Sequence, residues 1–273
     1  MRPFKDKVVL ITGAGRGIGK RLAIGFAHAG ARVGLLARSK AELDLAHLEI
    51  EHAGGMSLRL RADVRDFEQM TAAVDKLEAQ SGQVQILICA HAVFGHLGAL
   101  LDAPPREWAD AAATNLVGTM HACRAVLPHM TERRQGKIVL LVGPGADAPR
   151  PGFSAYAATQ AALVRFAETL AEEVRECNVQ VNCMNPGPTY TSLTDEILLA
   201  GQRVNARESQ EAIQVRATGG TAPEKQVHLA QFLASDRSNH VSGKLISISD
   251  DLRKIEHGNA HAEIFTLRRI QKL

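Results

Sequence analysis

The chain has 273 residues, a formal net charge of +3, 45% apolar residues and four cysteines. This length and apolar content allow one substantial core and argue against extensive disorder. The interspersed charges exclude a basic nucleic-acid-binding face, and no run approaches the ~18 apolar residues of a membrane span. The N-terminus has no apolar signal core and the cysteines form no CxxC pair, so we expect a cytoplasmic protein with neither nucleic acid nor membrane as a partner.

The first predicted element is a buried strand in the apolar run from Val8, which breaks into a glycine-rich turn. A helix follows over Gly17–Gly30, because its apolar residues recur at helical spacing. Glycines allow positive φ and close approach of the backbone to a ligand, and the unpaired N–H groups of a helix start favour a pyrophosphate. The turn therefore predicts a dinucleotide phosphate site, with a simple tight turn as the alternative.

Strands and helices alternate along the rest of the chain. The further predicted strands are Ala31–Ala37, Met56–Arg61, Val84–Cys89, Lys137–Val142, Val179–Met184 and Lys244–Ile248. The further predicted helices are 39–53, one from about 66, 105–130, 153–176, 192–217 and 221–233, with capping boxes at Ser39–Glu42 and Thr221–Glu224. The alternation predicts one doubly wound parallel α/β sheet of seven strands with helices on both faces. It occupies residues 1–250, followed by a tail, 251–273.

The tail contains His257, His261 and Glu263. Histidines in a polar tail are mostly solvated, and no fourth ligand is evident. We therefore predict no metal site.

The spacing Thr12-Gly13-x-x-x-Gly17-x-Gly19 resembles the glycine motif of the short-chain dehydrogenase/reductase family. Tyr156 and Asn115 match two further family positions, and the resemblance covers about residues 5 to 250. It implies a Rossmann-like fold, a nicotinamide dinucleotide cofactor and a small-molecule substrate that no motif identifies. It also implies a homodimer or homotetramer, formed by the helices near 105–130 and 153–176.

The end of the second strand indicates which nicotinamide cofactor binds. An acid there would bind the adenosine ribose 2′-hydroxyl and repel a 2′-phosphate, but Ala37 occupies the position. Arg38, Ser39 and Arg16 offer donors to a phosphate, which favours NADP(H) over NAD(H), although Arg38 is alternatively an ordinary surface arginine. By resemblance, Asp63 and Val64 flank the adenine. The predicted cofactor-binding residues are Gly13, Arg16, Gly17, Ile18, Gly19, Arg38, Ser39, Asp63, Val64, Ala90, Gln160 and Thr189.

Thr189 follows the Pro-Gly turn and matches the family position that contacts the nicotinamide carboxamide. On sequence alone, a plain loop threonine is an equal alternative.

The family's catalytic set is Asn, Ser, Tyr and Lys, and this chain retains Asn115 and Tyr156 as its candidate catalytic residues. The lysine position is Gln160, which carries no charge to stabilise a phenolate, so we expect the pKa of Tyr156 near its ordinary value of about 10. The serine position is Gly143, which removes the hydroxyl that polarises the carbonyl.

The family's Asn-Asn-Ala-Gly segment is here Cys89-Ala90-His91-Ala92. His91 and Ser154 are candidates to replace one of the missing catalytic groups. The alternative for His91 is that its side chain only fills space.

These departures leave two hypotheses open. The first is an NADP(H)-dependent oxidoreductase that acts on a carbonyl or hydroxyl group with weakened or altered catalysis. The second is a non-catalytic NADP(H)-binding sensor or partner subunit. Tyr156 and Asn115 favour the first, whereas Gly143 and Gln160 favour the second.

Overall fold

A computed structural model describes residues 2–258 and 266–267, which contain a seven-stranded parallel sheet. The strands are β1 (Val8–Thr12), β2 (Arg32–Ala37), β3 (Met56–Arg61), β4 (Ile86–Cys89), β5 (Gly136–Leu141), β6 (Val179–Asn185) and β7 (Leu245–Ser247). Their order across the sheet is β3-β2-β1-β4-β5-β6-β7. The order reverses direction between β1 and β4, and ligands of open α/β sheets bind beyond the carboxyl ends of the strands at such a point. The predicted doubly wound parallel sheet is confirmed.

Helices connect the strands. They are α1 (Gly17–His28), α2 (Lys40–His52), α3 (Phe67–Ser81), α4 (Pro105–Ala112), α5 (Gly118–Glu132), α6 (Ser154–Glu173), α7 (Ser192–Ala200), α8 (Ala206–Thr218), α9 (Pro223–Leu233) and α10 (Leu252–Glu256). Within the described residues, none of them has both the length and the apolar character that crossing a bilayer requires.

The sheet separates two apolar cores, and β1 contributes to both. Val8 and Leu10 pack into one core, whereas Val9 and Ile11 pack into the other. Successive side chains of a strand point to opposite faces, so a strand covered by helices on both sides has to be apolar throughout. The continuous apolar run at the start of the chain therefore encodes a central strand.

Two predicted helices are interrupted. The predicted helix 105–130 contains a π-helical turn, Ala113–Val117, between α4 and α5. The predicted helix 192–217 divides into α7 and α8, because Gly201 adopts a φ of 56° and the side chain of Asn205 caps the start of α8.

Neither predicted capping box forms. Ser39 accepts a hydrogen bond from the Glu42 N–H, but the Glu42 side chain turns elsewhere. Pro223 begins α9 without a side-chain cap.

The segment assigned to the tail begins with α10, whose Ile255 is buried against the core of α1 and α9. Leu267 accepts a hydrogen bond from Arg165 and donates one to Glu168. His261 and Glu263 lie outside the described residues. Among the described residues, no cluster of His, Cys, Asp and Glu side chains could hold a metal ion.

Candidate active site

The glycine turn between β1 and α1 borders a cavity of about 450 Å³ at the switch point of the sheet. Gly13 and Gly17 have φ angles of 67° and 57°, which L side chains rarely adopt. A Cβ at Gly13 would lie 2.8 Å from the backbone nitrogen of His91, and one at Gly19 would collide with the Gly13 carbonyl. Only glycine permits this close packing, which leaves the start of α1 open to a ligand. The turn therefore fits the pyrophosphate of a dinucleotide.

Most of the predicted cofactor-binding residues line this one cavity. They are Gly13, Arg16, Gly17, Ile18, Arg38, Ser39, Asp63, Val64 and Ala90. Gly19 lies in the first turn of α1, where it packs against Gly13. Gln160 and Thr189 line a second cavity of about 200 Å³. The two cavities adjoin, because Ile18, Ala90–Ala92, Thr191 and Leu193 line both.

The end of the first cavity beside β2 is rich in charge. Arg38 forms no ion pair within the described part of the chain, so its guanidinium is available to a ligand. Asp63 forms hydrogen bonds with Arg65, and this contact holds the pKa of the Asp63 carboxyl below its ordinary value. Glu42 lines the same end and pairs with Arg16 at 3.5 Å. From the sequence alone, only a capping role was predicted for Glu42.

Tyr156 lies in the first turns of α6, against the second cavity. It is 6% exposed, and its ring packs edge to face on Phe94, with 4.8 Å between ring centroids. Burial raises the pKa of Tyr156 to about 12. The expected value near 10 omitted this desolvation, which disfavours the phenolate.

Gly143, at the position of the missing serine, lies directly against the hydroxyl of Tyr156. A Cβ at Gly143 would collide with the Tyr156 Oη atom. The phenol thus occupies the space that a side chain at position 143 would need.

Gln160, at the position of the missing lysine, lies one helical turn after Tyr156. Its Oε1 accepts a hydrogen bond of 2.8 Å from the Gly143 N–H. Its Nε2 is buried and has no hydrogen-bond partner among the described residues. Gln160 therefore supports the backbone at Gly143 and contributes an uncharged side chain to the wall of the second cavity.

Asn115 lies in the π-helical turn and is 1% exposed. Its Oδ1 accepts from the Val93 N–H, and its Nδ2 donates to the Val93 carbonyl and to Thr159 Oγ1, at 2.9, 2.9 and 3.0 Å. The side chain is fully used in joining the segment after β4 to α6. We infer a positioning contribution of this side chain to the site.

His91 lies between the two cavities with both ring nitrogens in hydrogen bonds. Nδ1 is 2.6 Å from Thr12 Oγ1, and Nε2 is 3.2 Å from the Thr114 carbonyl. A carbonyl only accepts, so Nε2 carries the proton and Nδ1 accepts from the Thr12 hydroxyl. Burial lowers the pKa of His91 to about 4. A neutral imidazole held in this way favours the space-filling alternative over a replacement acid.

Ser154 is not among the described residues that line the second cavity. The hydroxyl of Thr189 donates to the Gly187 carbonyl at 3.1 Å and accepts from Gln226 Nε2. This hydroxyl therefore holds the turn after β6.

One largely buried ion pair in the site was not predicted from the sequence. Arg150, before α6, binds Glu208 of α8 through two hydrogen bonds of 2.9 and 2.7 Å. The guanidinium also lies 3.8 Å from the centroid of the Phe153 ring. The pair joins the α7–α8 segment to the wall of the second cavity. The partners are 58 positions apart, so no sequence motif could identify them.

Comparison with known proteins agrees with this architecture. "Oxidoreductase UcpA" of Salmonella typhimurium is 33% identical over 248 residues, which cover 89% of this chain and 93% of the relative. "Cyclohexanol dehydrogenase" of Rhodococcus sp. (strain TK6) is 31% identical over 274 residues, which cover 92% of this chain and 97% of that relative.

Among solved structures, a gluconate 5-dehydrogenase from Burkholderia cenocepacia J2315 in complex with NADP and tartrate has a TM-score of 0.79 at 27% identity, covering 90% of this chain and 94% of that one. A 3-oxoacyl-[acyl-carrier protein] reductase with bound NAD from Brucella melitensis has a TM-score of 0.77 at 27% identity, covering 90% of each chain. The family model described as short chain dehydrogenase matches residues 7–200. Because this match spans well over half of the sequence, the chain belongs to the short-chain dehydrogenase/reductase family.

Proposed function

We propose that this oxidoreductase reduces a small carbonyl compound with NADPH, and that its catalysis is weak. The observation that carries the proposal is the pair of adjoining cavities, with Arg16, Arg38 and Ser39 at one end and Tyr156 at the other. A nicotinamide cofactor, when bound, supplies the hydride. Every other contribution comes from the residues described above.

Tyr156 donates the proton to the carbonyl oxygen. Its pKa of about 12 keeps the hydroxyl protonated at neutral pH, as a donor requires. Oxidation of an alcohol needs the phenolate, which is scarce below pH 12 because the nearby Arg150 guanidinium offsets only part of the effect of burial. The site therefore favours reduction over oxidation.

Two expected contributions to catalysis are missing. Gly143 provides no hydroxyl to polarise the carbonyl, and Gln160 is neutral. Loss of one such donor costs about 10²–10³ in rate. A sensor or partner subunit that binds NADP(H) without turnover is the alternative, and the same departures motivate it.

The test of catalysis is NADPH oxidation against a panel of ketones. Cyclic ketones come first, because a relative is named cyclohexanol dehydrogenase. We expect slow turnover that Tyr156→Phe abolishes and His91→Ala leaves measurable. Gly143→Ser combined with Gln160→Lys should raise turnover. Brisk wild-type turnover would refute weak catalysis, and turnover that survives Tyr156→Phe would refute its role as donor.

The test of cofactor preference is calorimetric titration with NADPH and NADH. We propose tighter binding of NADPH, because Arg38 has no protein ion-pair partner among the described residues. Arg38→Ala should weaken NADPH binding and leave NADH binding nearly unchanged. Equal affinities in the wild type would contradict the preference.

We further propose a reducing, cytoplasmic location and a homodimeric or homotetrameric assembly. The four cysteines are all free thiols, which supports the first. Family resemblance supports the second.

A further inference from the structure

Glu42 introduces a negative charge at the end of the cavity that we assign to the adenosine. It lies in the first turn of α2, and its side chain is 35% exposed. A Cβ at Gly15 would lie 3.1 Å from Glu42 Oε2 and 3.5 Å from Ala37 Cβ. The Glu42 carboxylate and the Ala37 side chain therefore flank the same face of the glycine turn.

This placement matters because Ala37 holds the position at which an acid would select against a 2′-phosphate. Glu42 brings a carboxylate to the same end of the cavity from a different element, five residues later in the chain. It also pairs with Arg16 at 3.5 Å, so one of the two arginines at this end is partly neutralised. Arg38 remains without an ion-pair partner within the described residues.

We propose that Glu42 is a specificity-determining residue that lowers the preference of the site for a 2′-phosphorylated nucleotide. The carboxylate repels a 2′-phosphate and competes with it for Arg16. It can also accept a hydrogen bond from an unmodified 2′-hydroxyl. This inference rests on the proposed function, because it assumes that the cavity binds a nicotinamide dinucleotide.

The expected effect is moderate, because the pair lies near solvent. At the dielectric constant of water, one carboxylate charge near a phosphate dianion changes binding by roughly fivefold, and salt reduces this effect. Glu42→Gln should therefore raise the ratio of NADPH affinity to NADH affinity about fivefold at low ionic strength, and less at 0.5 M salt.

Glu49→Gln is the matched control. Glu49 lies two turns further along α2 and pairs with Lys20 of α1, outside the first cavity. It carries the same charge on the same helix, so any general effect of net charge should be equal in both variants. Glu42→Asp retains the charge and should retain most of the wild-type ratio.

The experiment is calorimetric titration of the full chain with NADPH, NADH, adenosine 2′,5′-bisphosphate and adenosine 5′-monophosphate. The two adenosine probes need no catalysis and isolate this end of the cavity. A higher ratio of NADPH affinity to NADH affinity in Glu42→Gln than in both Glu49→Gln and the wild type supports the inference. An unchanged ratio, or the same change in Glu49→Gln, overturns it and leaves the proposed function intact. Failure of the wild type to bind any of the four overturns the proposed function and this inference together.

Discussion

Replacing Gln160 with lysine should lower the pKa of Tyr156, because the two side chains are one helical turn apart on α6. An ammonium about 5 Å from the phenolate, at an effective dielectric constant near 20, stabilises it by about 3 kcal/mol, or about two pKa units. The apparent pKa should therefore fall from about 12 to about 10. Lysine cannot accept the hydrogen bond from the Gly143 N–H, so the variant also loses about 1–3 kcal/mol of stability.

The assay is tyrosinate absorbance during an alkaline titration, which needs no substrate. The chain has two tyrosines, so the measurement uses a Tyr190→Phe background in which Tyr156 alone reports. Gln160→Met is the control, because it removes the same hydrogen bond without adding a charge and should leave the pKa high. A wild-type pKa near 10, or equal values in the lysine and methionine variants, would refute the reasoning.

Three further measurements test other parts of the site and the assembly. The free energy of unfolding should fall by about 3 kcal/mol as the pH drops from about 6.5 to 4, because His91 binds a proton in the unfolded chain that burial excludes in the folded one. Urea denaturation of the wild type and of His91→Gln at several pH values would measure this, and an equal dependence of unfolding free energy on pH in both would contradict it. Glu208→Gln should cost about 1–3 kcal/mol, because it removes the charge from two hydrogen bonds of a largely buried pair, and should speed hydrogen exchange in α8, whereas Glu211→Gln, from an exposed pair, should cost under about 1 kcal/mol; equal losses would contradict this. Sedimentation at micromolar concentration should show a dimer or tetramer, and monomers alone would contradict the proposed assembly.

Local signals in the sequence were sufficient to predict the fold. The apolar run at Val8 predicted a buried strand, and β3 was predicted at its observed bounds, Met56–Arg61. Helix interruptions were less predictable. The π-helical turn around Asn115 depends on hydrogen bonds to Val93 and Thr159, which are 22 and 44 positions away. Contacts at such separation leave no periodic pattern.

The site shows the same division between local and distant signals. The glycine turn and Tyr156 were identified from motifs, because spacing along one strand or helix determines their geometry. The Arg150–Glu208 pair and the Arg16–Glu42 pair each join two elements, so neither could be inferred from spacing. The pKa of Tyr156 was underestimated for a related reason, since burial depends on Phe94 and other residues distant in sequence.

Gly143, Tyr156 and Gln160 form one packed unit, so their departures from the family pattern depend on one another. The absence of a side chain at Gly143 leaves room for the Tyr156 hydroxyl, and the Gln160 amide binds the Gly143 N–H. A serine introduced at position 143 alone must displace that hydroxyl, and a lysine introduced at position 160 alone leaves that N–H without its acceptor. The effects of neighbours in contact are not additive. Both substitutions therefore act on the position of Tyr156, so the turnover of the double variant should differ from the combined effects of Gly143→Ser and Gln160→Lys measured singly.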